Sequence, residues 1–156
     1  MGNTIKIIDF APEHSPLFKA LNEEWITTFF ELEAADLPLL SHPQEHIIDK
    51  GGKIKVGLLN DNPVGVCALI PLDHPTYDFE LSKMAVSPKA QGCGIGYLLG
   101  KAIVEAARKQ NANSIYLVTN SQLIPAIKLY EKLGFRKLDL DTSNYQRGDY
   151  HMEYIF

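Results

Sequence analysis

Four glycines, at positions 92, 94, 96 and 100, fall inside the stretch SPKAQGCGIGYLLG (residues 87–100), which runs straight into an amphipathic pattern. Glycines ahead of a helix leave backbone N–H groups bare at the positive end of the helix dipole, so their natural occupant is an anion, above all a phosphate or pyrophosphate. The spacing narrows the choice. A Walker loop needs G-x-x-x-x-G-K-[ST]; Gly100 and Lys101 form the GK, but Ile95 stands where the first glycine belongs and Ala102 replaces the magnesium-binding hydroxyl. A Rossmann fingerprint needs G-x-G-x-x-G after a first parallel strand, whereas Gly92, Gly94 and Gly96 are spaced G-x-G-x-G and the next strand ends in Asn120 rather than an acid. The plainer alternative is a turn that only lets helix and strand approach. It would cost roughly 0.5–1 kcal/mol per glycine relative to alanine with no contact to offset it.

Two further groups have reactive side chains. Cys93 sits inside the glycine loop, where a helix N-terminus favours the thiolate; an acyl-cysteine route stands against a small loop filler, and the filler is the simpler reading. His42 and His46 have i, i+4 spacing, but Pro43 opens the helix between them and no third ligand is in view, so surface histidines rather than a metal site are expected.

The elements that must position these residues follow from pattern. With 156 residues and 46% hydrophobic content the chain is expected to be one domain, residues 1–156, with a substantial core. A net charge of −4, from 15 basic and 19 acidic side chains, argues against nucleic acid as a partner, and no run approaches a membrane span. Two cysteines without metal-ligand spacing fit a reduced, cytoplasmic protein. Thr4–Phe10 reads as a strand, Ser15 to about Phe30 as a helix opened by Pro16, and residues 41–50 as a second short helix with Ser41 and Gln44 as a capping box. Residues 53–59, 64–72 and 76–86 read as an antiparallel meander whose first turn is Asn60 to Pro63. Then come a helix over 94–110, with Ile95, Leu98, Leu99, Ile103, Ala106 and Ala107 on one face, a buried strand over 114–120, a helix over 123–133 capped by Gly134, and strands at 135–140 and 151–156 around a polar loop. This is a mixed α/β domain of α+β type, not a doubly wound one.

Gln91, Gly94 and Gly96 match Q/R-x-x-G-x-G/A, between a strand ending in a hydrophobic-Ser-Pro segment and a long helix. The stretch FELSKMAVSPKAQGCGIGYLLG resembles the fourth strand, pyrophosphate loop and third helix of the GNAT N-acetyltransferase superfamily, and LYEKLGF (129–135) resembles its later helix–strand signature. The order of elements is similar to that fold over nearly the full chain. The resemblance implies a mixed, mostly antiparallel sheet of about seven strands, splayed between the fourth and fifth and flanked by about four helices. It also implies acetyl-CoA as co-substrate, with no metal.

Residue roles implied by the resemblance are these. Main-chain groups of Met84, Ala85 and Val86 polarise the thioester, and the amides of Gln91, Gly92, Cys93, Gly94, Ile95 and Gly96 meet the pyrophosphate. Glu80, eleven positions before Gln91, is the general base, the alternative being a glutamate in a surface ion pair. Tyr130 of LYEKLGF is the acid for the departing thiolate, the alternative being an aromatic packed in the core. The sequence departs from the family in having Leu123 where an Asn is usual; Asn120 is the substitute whose contact is open. Trp25, Phe29 and Arg147 are the acceptor-binding residues, and an arginine in the polar loop points to a carboxylate on the acceptor. The expected activity is transfer of acetyl to a primary amine of a small molecule by a monomer or homodimer. Transfer to a protein or peptide amine, and a non-catalytic acyl-CoA-binding or regulatory module, stand as alternatives.

Overall fold

A computed structural model describes residues 3–139 and 148–156. Eleven helices and strands follow in order: β1 (Ile5–Asp9), α1 (Ser15–Phe29), α2 (Asp36–Ser41), β2 (Lys53–Leu59), β3 (Asn62–Pro71), β4 (Phe79–Val86), α3 (Ile95–Lys109), β5 (Ser114–Thr119), α4 (Ile124–Leu133), β6 (Arg136–Leu138) and β7 (Tyr150–Ile155). The strands form one sheet in the order β1-β2-β3-β4-β5-β7-β6. Every neighbouring pair is antiparallel except β4–β5.

The β2–β3 hairpin closes through Asn60 and Asp61, both left-handed at φ +52° and +67°, the conformation that a two-residue turn matched to strand twist requires. Asn60 also ties the hairpin to the first strand: its N–H donates to Thr4 C=O at 2.8 Å and its Oδ1 accepts from Thr4 N–H at 2.9 Å.

Each face of the sheet has its own core. On one, Phe18 and Ile26 of α1, Leu40 of α2 and Ile47 pack on Ile54, Val56, Val66, Ala68 and Ala85. On the other, Ile95, Leu99, Ile103 and Ala107 of α3, with Tyr130 of α4, pack on Cys67, Leu69, Phe79, Leu81, Ile115, Leu117 and Met152. Leu98 does not join them. It is 36% exposed, because at about 100° per residue it falls on the rim of the stripe that Ile95, Leu99 and Ile103 define. Gly100 lets α3 and α4 close up: an added methyl group there would overlap the Leu133 side chain.

The second helix differs from expectation. α2 begins at Asp36, within the piece expected to be irregular, and Ser41 is its last residue rather than a cap. Pro38 is tolerated because it lies in the first turn, where its missing N–H has no intrahelical acceptor in any case. Gln44–Ile48 follow as one π-helical turn. No helix among the described residues is long and apolar enough to cross a membrane.

Candidate active site

β4 and β5 run parallel but pair only at Phe79–Ile115 and Glu80–Tyr116. Beyond that rung the strands part, leaving the main chain of Leu81–Val86 without a ladder on that side. The resulting cleft has two lobes. The larger, about 610 Å³, is lined by Gln91, Gly92, Gly94, Ile95 and Gly96 of the glycine loop, by Met84 and Val86 of β4, and by α4. The smaller, about 100 Å³, is lined by Glu80, Lys83, Asn22, Phe30 and Asn120. Trp25, Met84, Leu123, Ala126 and Tyr130 line both, so the two lobes adjoin along these side chains.

The loop is built for its own shape. Gly92 and Gly94 have φ of +86° and +88°, and a side chain added at either would meet nothing within 4 Å. These two glycines are therefore not spacers for a neighbour; they turn the chain and leave its backbone facing open space. Gly96 does serve packing, since an added Cβ would lie 3.1 Å from Leu129. Gly94 is the N-cap of α3 and offers no side-chain cap, so the first-turn amides of the helix remain available to an anion. No Lys or Arg among the described residues lines this lobe. Gln91 and Cys93 brace the loop from within: Gln91 Nε2 donates to Val86 C=O at 3.3 Å, and the Cys93 thiol donates to Ala90 C=O at 2.7 Å. Cys93 does not line the cleft.

Glu80 occupies the last paired rung and is half-buried. Burial pushes its carboxyl up to about 7, with the Lys83 ammonium pulling the other way. A carboxylate in that range exchanges its proton near neutral pH, as a general base must. Tyr130 is buried, and burial, reinforced by Cys67, raises its phenol, so it holds its proton as an acid should. Its ring also packs edge-on to Phe135 at 6.1 Å, so core packing and a cleft-facing position coexist in one side chain. Trp25 and Phe30 form the aromatic wall at the α1 end, with centroids 6.3 Å apart; Phe29 lies tilted against Trp25 at 5.5 Å, lines the larger lobe and is 53% exposed.

Residues 16–135 match the acetyltransferase (GNAT) family. The chain belongs to the GNAT family. Among GNAT relatives it is 33% identical over 95 residues to an N-acetylaspartate synthetase of Rattus norvegicus, spanning 61% of this chain but only 31% of that protein. A GNAT acetyltransferase structure from Staphylococcus aureus Mu50 superposes with a TM-score of 0.84 at 23% identity, covering 97% of this chain and 99% of that one. The spermidine N-acetyltransferase of Vibrio cholerae, in complex with CoA and spermine, gives 0.71 at 21% identity, covering 97% and 95%.

Within this GNAT domain Met84 and Val86 face the cleft, whereas the Ala85 side chain is 1% exposed in the opposite core, so that only its main chain is available. Asn120 lies in the smaller lobe, away from the glycine loop; its Oδ1 accepts from Gln122 N–H at 2.9 Å, shaping the entry to α4. Arg147 lies outside the described residues. The Asp149 carboxylate accepts from the Ser121 amide and hydroxyl at 2.7 and 2.8 Å, bonds that hold it below the usual carboxylate range. His42 and His46 stand 6.3 Å apart, and no cluster of potential metal ligands occurs among the described residues.

Sequence reasoning missed Asn22, Lys83 and Asp36. Asn22 is 1% exposed at the smaller lobe, its Nδ2 donating to Phe18 C=O at 2.9 Å. Lys83 falls in the alternation Phe79, Leu81, Lys83, Ala85, where an inward position should be apolar; that charge in an apolar register was the available signal.

Proposed function

We propose that this chain transfers an acetyl group from acetyl-CoA directly to the primary amine of a small molecule. The observation that carries the reading is the splayed β4–β5 cleft: open backbone amides at one end, a carboxyl titrating near neutrality at the other, and a protonated Tyr130 among the side chains along which the two lobes adjoin. The amides of Gln91–Gly96 and the dipole of α3 hold the cofactor pyrophosphate, and main-chain groups of Met84, Ala85 and Val86, on the edge that β5 leaves, polarise the thioester carbonyl. The lone pair of the neutral amine forms the C–N bond while Glu80, directly or through water, takes the proton that the nitrogen gives up; the C–S bond breaks, and Tyr130 gives its proton to the thiolate and regains one from solvent.

The acceptor lobe is small and walled by Trp25 and Phe30, which favours a small amine over a folded protein surface. Arg147 motivates the finer reading of an acceptor that also bears a carboxylate, and a relative named for N-acetylaspartate is compatible with it. Thiol release from acetyl-CoA, measured over amino acids, their decarboxylated counterparts, polyamines and peptides, tests both levels. Turnover with small amines and preference for the carboxylated ones is expected. Absence of acetyl-CoA binding in calorimetry would overturn the whole reading; equal rates for carboxylated and decarboxylated amines would remove only the finer one.

A further inference from the structure

Lys83, at the wall of the smaller lobe, belongs to a buried charge pair to which the transfer chemistry assigns no role. Lys83 Nζ lies 2.8 Å from Asp36 Oδ1, with the two side chains 4% and 0% exposed. Taking both ions out of water costs so much that a buried pair of this kind is poor evidence of a stabilising role. Its backbone setting is unusual as well. Lys83 has φ +56°, a left-handed conformation that a lysine adopts only where its surroundings impose it, and such strain clusters at functional sites.

The strain has an identifiable structural result. β3 and β4 are in register at Leu69–Leu81 and Ala68–Ser82 and again at Val66–Ala85, so Lys83 and Met84 together oppose Cys67 alone. This is a β-bulge, and it exchanges the faces of β4. Before it, Phe79 and Leu81 point to the α3 core; after it, Ala85 points to the α1 core, while Met84 and Val86 pack toward α3 and line the cleft. Asp36 is itself oriented by its own turn: its Oδ2 accepts from Glu33 N–H at 2.8 Å and its N–H donates to Glu33 C=O at 2.9 Å.

We infer that Asp36 and Lys83 are positioning residues for the transfer: their ion pair fastens the bulge of β4 to the first turn of α2, so that Glu80 and the free main chain of β4 meet the cleft in one arrangement with a balanced charge beside the base. This rests on Glu80 being that base. The groups facing Glu80 are Lys83 on its own strand, with Asp36 of α2 behind it, Tyr116 across the last rung, and Tyr130 from α4; Asn22 of α1 is neutral. Tyr116 in turn meets His151 Nδ1 of β7 at 2.6 Å.

The pair makes opposite predictions for its two members. Removing the ammonium in Lys83→Met raises the pH at which Glu80 titrates, whereas Asp36→Asn leaves the ammonium less neutralised and lowers it, each by about 0.5–1 pH unit. Carbon-13 NMR titration of the Glu80 carboxyl in the free protein reads this without turnover, and the rising limb of the kcat/KM profile should move in the same two directions. kcat should fall on the order of ten- to hundredfold in both variants through misplacement of the reacting groups. Should a single variant fail to fold, the double variant Asp36→Leu/Lys83→Met, which replaces the buried pair by apolar groups, keeps the test: Glu80 must titrate above its wild-type pH. Wild-type titration in the variants, or shifts of the same sign in both single variants, would overturn the inference. A wild-type enzyme whose Glu80→Gln variant keeps full activity would sink the base assignment instead.

Discussion

At the level of single side chains, the proposed division of proton transfer between Glu80 and Tyr130 draws on surroundings that act on the two groups in compatible ways. Burial disfavours the charged form of each, which brings an acid with a low ordinary pKa up to about 7 and moves a phenol further from ionisation. The wild-type kcat/KM profile should therefore rise with pH through about 7, because the proposed base acts in its deprotonated form. Glu80→Gln should lose about 10²- to 10⁴-fold in kcat and abolish that limb, measured by thiol release. Tyr130→Phe keeps the ring and its packing on Phe135. It should lower kcat by about 10- to 100-fold with the KM for acetyl-CoA within about twofold, the pattern of an interaction made only in the transition state.

At the level of elements, two glycines on α3 illustrate different constraints. Gly94, at φ +88°, has open space where a side chain would go, so Gly94→Ala introduces backbone strain of about 1–2 kcal/mol without a clash. The loop then relaxes away from its left-handed turn, and the KM for acetyl-CoA should rise about tenfold with a modest fall in melting temperature. Gly100 is the converse, an α-helical residue whose missing side chain admits Leu133 of α4. Gly100→Val should cost about 1–3 kcal/mol in denaturant unfolding, through overpacking between α3 and α4, while the surviving folded enzyme binds acetyl-CoA as before.

For the molecule as a whole, the raised carboxyl of Glu80 couples the site to folding. Its folded value of about 7 exceeds the ordinary 4.5, so the folded state holds this proton more tightly than the unfolded chain. Below about 4.5 both states are protonated and nothing is lost; as pH rises to about 7 stability falls, and above that the full penalty of roughly 3 kcal/mol remains. Glu80→Gln should match wild type in denaturant unfolding near pH 4 and exceed it near pH 8; equal stabilities at both would exclude a carboxylate whose charge the fold disfavours. On the proposed reading, stability at neutral pH is the cost of keeping a base in the cleft. Sequence by itself determined much of the remainder. Hydrophobic period, proline at a helix start and glycine at helix ends are local signals, and they located every strand and three of the four helices to within a few residues, along with the glycine loop and Tyr130. What only the tertiary structure decided depends on contacts between distant segments. The bulge at Lys83 reverses the apparent alternation of β4; a charge in an apolar register marks the position locally, but its partner, Asp36, lies 47 positions away. For the same reason the meeting of the two lobes at Tyr130, the elevation of Glu80 and the burial of Asn22 become visible only when β4 and β5 part and the helices close over them, since burial and charge at a site belong to the assembled fold rather than to any segment of it.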